Sequence, residues 1–522
     1  MFLLTRSKRA SDMERYDVIV IGAGNGGLAA ACKVLNAGKT CLVCEKHNIP
    51  GGFATSFVRG RFEFEASLHE FNGIGTPEEP GSTRILFEEL GVADKIEWVH
   101  LKDAYHLISA EEGYDYVMPF GTEAFAKANN QLHPEGEKYI RDFFALAQQI
   151  RDAMDYLSAS KGRPDPQVMM EKYPDYLACG SYSVNEAFKA LGYPKEIVDN
   201  LNTYWCYLGA DGDNLSFLHY ANMIYSYFSK GAVIPKYRSH ELSLAFEERI
   251  HELGGDIWFN SEVVKILTDD EGHVCGIRLK DGREVGTRHV IADCSPHVVY
   301  GKLLDPAAIP ERALKLTNFR KLAGKGFTVF LGLNRSPEQL GIRDHNYFIY
   351  DTSDSVRQYE SMKQIGNTAA QATVCLNNAD PDCSPEGTTI MYMTTLFTED
   401  IWSDVAEEDY FKVKNRVARS MIERFENATG VNIHDHIEEI AIATPETYAR
   451  YCGHPQGTIY GYESQYYDGL MNRIQMVEED RMVPGLRIGG GYGERLLGYP
   501  SSYKSGANEA GRTLRDMEKE GC

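Results

Sequence analysis

The stretch YDVIVIGAGNGGLAAACKVLNAGKTCLVCEK, Tyr16 to Lys46, decides the fold. Its apolar run VIVI, within Asp17 to Ile21, is rich in β-branched residues and predicts a buried parallel strand. The run enters Gly22-Ala23-Gly24-Asn25-Gly26-Gly27, a G-x-G-x-x-G loop. Leu28 to Ala37 has helix composition and closes on Gly38 at a C′ position. Thr40 to Cys44 returns as a second apolar strand that ends at Glu45.

Each glycine has a physical task. Gly22 permits the tight strand-to-helix turn, Gly24 lets backbone approach a pyrophosphate, and Gly27 lets the helix pack close to the sheet. The helix N-terminus offers unpaired N–H groups and a partial positive charge to phosphates. Glu45, about 20 residues on, can accept hydrogen bonds from ribose hydroxyls. A carboxylate there repels a 2′-phosphate and argues against NADP at this site. The loop therefore predicts an adenine dinucleotide without separating FAD from NAD.

The rest of the composition sets limits. A chain of 522 residues has room for two to four domains, and its 43% hydrophobic and 25% charged residues are ordinary for a globular protein. Its net charge of −21 disfavours nucleic acid and a strong electrostatic grip on anionic membrane. Met1 to Arg15 lacks the order and length of a secretory signal, and no apolar window approaches a membrane span. The expected compartment is the cytoplasm. Eleven cysteines show no framework spacing. The pair Cys41 and Cys44 falls on the second strand, where packing is the expected role rather than redox or metal chemistry.

Beyond Glu45 the chain departs from a plain NAD dehydrogenase. Gly51-Gly52, Arg59, Arg61 and the alternation Phe62-Glu63-Phe64-Glu65 read as a loop and strand wrapped around something larger than NAD. Residues 80–235 read mainly as helices. The stretch NTYWCYLGADGDNLSFLHYANMIYSYFSKGAVIPKY concentrates aromatics, among them Tyr204, Trp205, Tyr207, Phe217, Tyr220 and Tyr227. Two uses are open, a helical core or an apolar channel for a long, flat substrate. Asp256 to Asp293 reads as a run of strands completing the nucleotide-binding sheet. GFTVFLGL, ATVCL and TTIMYMTTL read as further strands, and Tyr410 to Gly430 as an amphipathic helix. Leu486 to Ile488 is a short strand, followed by glycines and a helix starting near Tyr499-Pro500-Ser501-Ser502, with proline in its first turn and serine as cap.

Taken together, three groups of residues resemble the flavin-dependent phytoene desaturase, carotenoid isomerase and retinol saturase family. They are the N-terminal unit with Gly51-Gly52; NSEVVKI with GHVCGIRLKDGREV and HVIAD; and the closing GLRIGGG…GYPSSYKSGANEAG. The likeness covers nearly the whole chain. It implies an α/β protein: a Rossmann-like FAD-binding domain of the glutathione reductase nucleotide type, with an inserted α+β substrate domain. The expected division is 14–78, 236–297 and 481–522 for the FAD-binding parts, 79–235 for a largely helical lid, and 298–480 for the substrate domain.

The resemblance implies FAD, with Gly22, Gly24, Asn25, Gly26 and Gly27 along the pyrophosphate and Glu45, beside Lys46, at the adenosine ribose. It places Gly51 and Gly52 along the middle of the cofactor, and the Val263 backbone at the adenine. Gly490, Gly491, Tyr499, Pro500 and Ser501 stand at the flavin end. His69, Glu494 and Arg495 are the catalytic candidates. Where saturase-like members resemble F-D-x-G-x-H, this chain has Phe64-Glu65-Ala66-Ser67-Leu68-His69, and the acid beside the last glycine cluster is missing. The expected activity is hydride transfer at a C–C or C=C bond of an apolar, polyene or lipid-like substrate, by desaturation, saturation or redox-assisted isomerisation. NAD(P)H or another electron donor, a homodimer and peripheral membrane contact are compatible partners. The rival readings are a flavin amine oxidase, with Tyr460 and Tyr462 as an aromatic cage, a steroid dehydrogenase or ene-reductase, and a flavin-binding scaffold without turnover.

Overall fold

In the computed structural model, residues 14–160, 164–366, 368–468, 482–493 and 497–521 are described. The VIVI run is a four-residue strand, Val18–Ile21, buried at every position. Such a strand needs neighbours on both edges and cover on both faces. It pairs in parallel with Cys41–Cys44 on one side and His289–Ala292 on the other. Asp256–Trp258 and Leu486–Ile488 extend the sheet to five parallel strands, drawn from three distant parts of the chain.

Gly22 turns out of the first strand at φ +97°, a conformation that side chains rarely tolerate. The N-terminal helix, Asn25–Asn36, follows at once. It lies against the C-terminal helix, Tyr499–Glu520. The two approach through glycines: a Cβ on Gly506 would run into the carbonyl of Gly26. Arg487, buried on the last parallel strand, ties that strand to the C-terminal helix through Asp516 at 2.6 Å and Glu509 at 3.3 Å.

A mixed seven-stranded sheet forms the second body, in the order 437–443, 325–333, 389–397, 370–375, 346–350, 103–109, 114–119. Strand Lys325–Leu333 is buried along all nine residues. Helices Gly136–Ala159 and Phe217–Lys230 cover one side with an aromatic-rich core. The sequence reading of 80–235 as mainly helical needs correction here. Trp98–His100, Asp103–Ser109 and Tyr114–Pro119 are strands, and Asp103–Ser109 pairs in parallel with Asn346–Tyr350. The run from Asp256 also divides. Val263–Thr268, Val274–Leu279 and Glu284–Gly286 form a separate antiparallel sheet, and only its flanking strands join the parallel one.

Candidate functional site

The glycine loop and the two helix starts converge on one cradle. Gly24 caps the N-terminal helix in extended backbone and has no side chain of its own to bond the first-turn N–H groups. Gly51, at φ +123°, donates its N–H to the Ala23 carbonyl at 2.8 Å, so the Gly51–Gly52 turn runs along the loop. A Cβ on Gly26 would stand 2.6 Å from Gly490 N, and one on Gly27 would overlap the Gly22 carbonyl. Glu45 closes the second strand, buried; its Oε2 accepts from Ala23 N and its Oε1 from His47 N, each at 2.8 Å. Lys46 is exposed beside it. Ser261, two residues before Val263, donates its N–H to the Glu45 carbonyl at 2.7 Å, which brings the Val263 strand to this end. Asn25 Oδ1 is buried in the loop with no hydrogen-bond partner.

One residue here escaped the sequence reading. Asp293 directly follows strand His289–Ala292, and its Oδ2 accepts the Gly27 N–H at 2.8 Å. Its carboxylate also abuts Gly24 and Gly490. Burial pushes it up to about 6, against the pull of the Gly27 N–H. It brings a carboxylate to the same point as the last glycine cluster, whose own sequence has none.

The far end of the cradle is built by the C-terminal helix. Its cap is Gly498 at φ +86°, with no side chain capping it, which corrects the expectation of a serine cap. Ser502 Oγ instead donates to the Gly498 carbonyl at 2.9 Å. The Tyr499 hydroxyl donates to the Phe53 carbonyl at 2.8 Å and meets Ser67 Oγ at 2.8 Å. Pro500 and Ser501 line the cavity described next. Glu494 and Arg495 lie outside the described residues.

That cavity measures about 680 Å³ and lies between the seven-stranded sheet, the aromatic helices and the start of the C-terminal helix. His69 lines it. Its Nε2 stands 3.4 Å from Thr394 Oγ1, and its Nδ1 has no partner. Behind Thr394 runs a line of hydroxyls, Thr328 at 3.0 Å and then Tyr448 at 2.9 Å. Burial, with His345 nearby, pushes His69 down to about 3, so its imidazole is neutral.

Glu65 explains how His69 is placed. Its buried carboxylate accepts from Ser67 N and Leu68 N at 3.0 Å each, and from Ser239 N and Oγ at 2.7 Å each. The aspartate-to-glutamate departure thus keeps a carboxylate that fixes this turn.

Glu70, the next residue, is the functional candidate that the sequence reading missed. It lines the cavity at 6% exposure. Asn346 Nδ2 donates to it at 2.8 Å and the Tyr204 hydroxyl at 3.0 Å. Burial outweighs both bonds and pushes it up to about 8, so it keeps its proton at neutral pH. The aromatic stretch divides between the core and the cavity wall. Trp205, Phe217 and Tyr220 belong to the core, whereas Tyr207 and Tyr227 face the cavity.

Other candidates stand apart. Tyr460 lines the cavity, but Tyr462 packs edge-on against Tyr492, ring centres 5.3 Å apart at 88°, so the two do not form a cage. Arg61 forms an exposed pair with Glu438 at 2.7 Å, and exposed Arg59 turns to the Val58 carbonyl. Cys41 and Cys44 are buried free thiols, and burial pushes Cys44 up to about 12. Among the described residues no cluster of three His, Cys, Asp or Glu side chains is arranged to hold a metal.

Comparison with known proteins gives consistent findings. The family model described as flavin containing amine oxidoreductase matches residues 26–428. Human all-trans-retinol 13,14-reductase is 25% identical over 485 residues, covering 86% of this chain and 77% of the reductase. A chloroplastic prolycopene isomerase from Daucus carota is 24% identical over 467 residues, covering 85% of this chain and 72% of the isomerase. Among solved structures, an oxidoreductase from Methanosarcina mazei shares the fold with a TM-score of 0.60 at 17% identity, over 95% of this chain and 99% of that one.

Proposed function

This chain belongs to the flavin-containing amine oxidoreductase family, its cofactor is FAD, and from that premise we propose that it adds or removes hydrogen across a C–C bond of an apolar, polyene-like substrate. The relatives named as a retinol reductase and a prolycopene isomerase support the polyene class. The observation that carries the reading is a buried Glu70, held by Asn346 and Tyr204, beside His69 in a cavity with aromatic walls.

The residues present fit FAD. The cradle between Gly26 and Gly490 excludes any Cβ, and the helix that starts there at Asn25 has no N-cap side chain over its first turn. On this reading Gly22, Gly24, Asn25, Gly26 and Gly27 hold the pyrophosphate, and Glu45 holds the ribose. Gly51 and Gly52 flank the middle, and Gly490, Gly491, Tyr499, Pro500 and Ser501 present the flavin end. When bound, FAD supplies hydride exchange with carbon.

The chain's own residues do the rest. Tyr207, Tyr227 and Phe348 wall the cavity and exclude water. Hydrogenation or dehydrogenation of a C–C bond needs a proton donor or acceptor as well as a hydride partner. Glu70 holds that proton on its carboxyl, oriented by Asn346 and Tyr204. His69, held by the Glu65 turn, is a polar anchor that leads into the Thr394–Thr328–Tyr448 hydroxyls.

On the same reading the protein works in the cytoplasm, in at most peripheral contact with membrane and without nucleic acid. Its net charge of −21 supports this, and among the described residues no helix is long and apolar enough to cross a membrane. A direct test is to reduce the bound FAD anaerobically and add all-trans-retinol or another polyene, with a primary amine added separately to the oxidised protein. The yellow flavin band should return with the polyene and stay unbleached by the amine. Bleaching by the amine with no response to polyenes would overturn the proposal in favour of C–N oxidation.

A further inference from the structure

The seven-stranded sheet turns one face to the cavity, and side chains alternate along its strands. Six residues that line the cavity sit two apart on three neighbouring strands: Phe348 and Tyr350, Ala370 and Ala372, Thr394 and Leu396. Their register sets them in rungs. Phe348 lies opposite Ala372, and Ala372 opposite Thr394. Tyr350 lies opposite Ala370, and Leu396 comes two residues after Thr394. One rung before Phe348, Asn346 carries the amide that donates to Glu70 at 2.8 Å. The acid is thus tied to the first rung and His69, through Thr394, to the second. The third adds Tyr350, Ala370 and Leu396. Rungs stand about 7 Å apart, so the third lies about 14 Å from the first.

That third rung is the closed end. Its members are buried, and Met362, which also lines the cavity, lies beyond them with its carbonyl accepting from Thr398 N at 2.9 Å. Lining residues on the C-terminal helix, Lys504 and Arg515, are exposed, so the cavity opens on that side. Two buried polar atoms without a partner, Asn346 Oδ1 and His69 Nδ1, belong to the first two rungs. In the third rung the Tyr350 hydroxyl donates to the Thr203 carbonyl at 2.7 Å, which leaves apolar surface for a ligand. The central column is alanine, a residue depleted in strands. With strands about 4.8 Å to either side, Ala370 and Ala372 floor a trough between an aromatic wall and the wall of Thr394 and Leu396.

We propose that this trough is a stop for the hydrocarbon end of the substrate: the chain passes His69 and Glu70 and ends on Ala370, between Tyr350 and Leu396, so that Ala370 and Ala372 select substrates by the length of chain beyond the acid. The inference deepens the reading that this cavity binds an apolar, polyene-like substrate and rests on it. Each further stretch of chain seated in the trough removes apolar surface from water, until the third rung ends the gain. A larger side chain on either alanine would occupy the place of the chain end.

The test uses the FAD-loaded protein and three probes that lengthen by one isoprene unit at a time: geraniol, farnesol and geranylgeraniol. Binding is read by calorimetry, so turnover is not needed. Wild type should bind tighter as the chain grows, by about tenfold or more for a unit that seats in the trough. Ala370→Leu should weaken geranylgeraniol by about tenfold or more and leave geraniol as in wild type. Ala372→Leu, one rung nearer the acid, should weaken farnesol as well. The added carbons point into the cavity, and Ala370→Val, which suits a strand, repeats the test if the leucine variant does not fold. Equal binding of the three alcohols by wild type, or variants that bind all three as wild type does, would overturn the stop and leave the polyene reading standing. Equal weakening of all three by both leucine variants would overturn it too, because the trough would then hold the part they share. Binding of none of them by wild type would overturn the cavity reading and this inference with it.

Discussion

Gly26→Ala is expected to empty the protein of FAD. The new methyl would stand 2.6 Å from Gly490 N, and something must move. What moves is the contact between the first glycine loop and the last, because neither has a flexible side chain to yield. Forcing atoms into a closed contact costs about 3 kcal/mol at the upper end of overpacking. Charged against cofactor binding, that weakens FAD by about 100-fold or more. The measurement is the FAD dissociation constant, by fluorescence recovery on release. Gly38→Ala is the control. Its φ is +75°, but nothing lies within 4 Å of the added Cβ. It should cost about 1 kcal/mol of stability and leave FAD affinity unchanged. If both variants bind FAD like wild type, the two glycine stretches do not share one cofactor.

The second large effect belongs to Glu70. Glu70→Gln keeps the shape and an acceptor for Asn346 and Tyr204, yet carries no transferable proton. The rate constant kcat should fall by about 10²–10⁴-fold, the usual span for a positioned acid or base. FAD affinity should not change. The pH profile gives a sharper readout. Burial raises Glu70 to about 8, so its protonated form prevails below that pH and is lost as pH rises through it. Wild-type reduction of a polyene should therefore decline above about pH 8, whereas the residual activity of Glu70→Gln should show no such limb. A limb that persists in the variant would assign the ionisation elsewhere.

How much of this was legible in the chain depends on how local each signal is. The strand, glycine loop, helix and Glu45 lie within 31 consecutive residues, and each follows from its own composition. The cap of the last helix was placed to within a few residues, but its identity was missed. Nothing in YPSSY says that Gly498, one step earlier, takes the cap at positive φ. The hairpin from Asp103 to Pro119 was lost among helices because its partner strand lies some 240 residues further on. Glu70 was invisible for the same reason. A glutamate after a histidine carries no signal until Tyr204 and Asn346 are brought round it and water is removed. Asp293 could have been flagged as an acid closing a strand that feeds the glycine loop. Its contact with Gly27 depends on strand order, which composition does not encode. The aromatic stretch resisted allotment because both faces of helix Phe217–Lys230 are ring-rich, one for the core and one for the cavity.

The central claim is that one FAD bridges the N-terminal glycine loop and the start of the C-terminal helix. Amide hydrogen exchange on the protein with and without its FAD tests this most directly. Removal of the cofactor should deprotect residues 22–27 and 45–52 together with 489–493 and 498–502, and leave the seven-stranded sheet as it was. Deprotection confined to either segment alone would contradict the account.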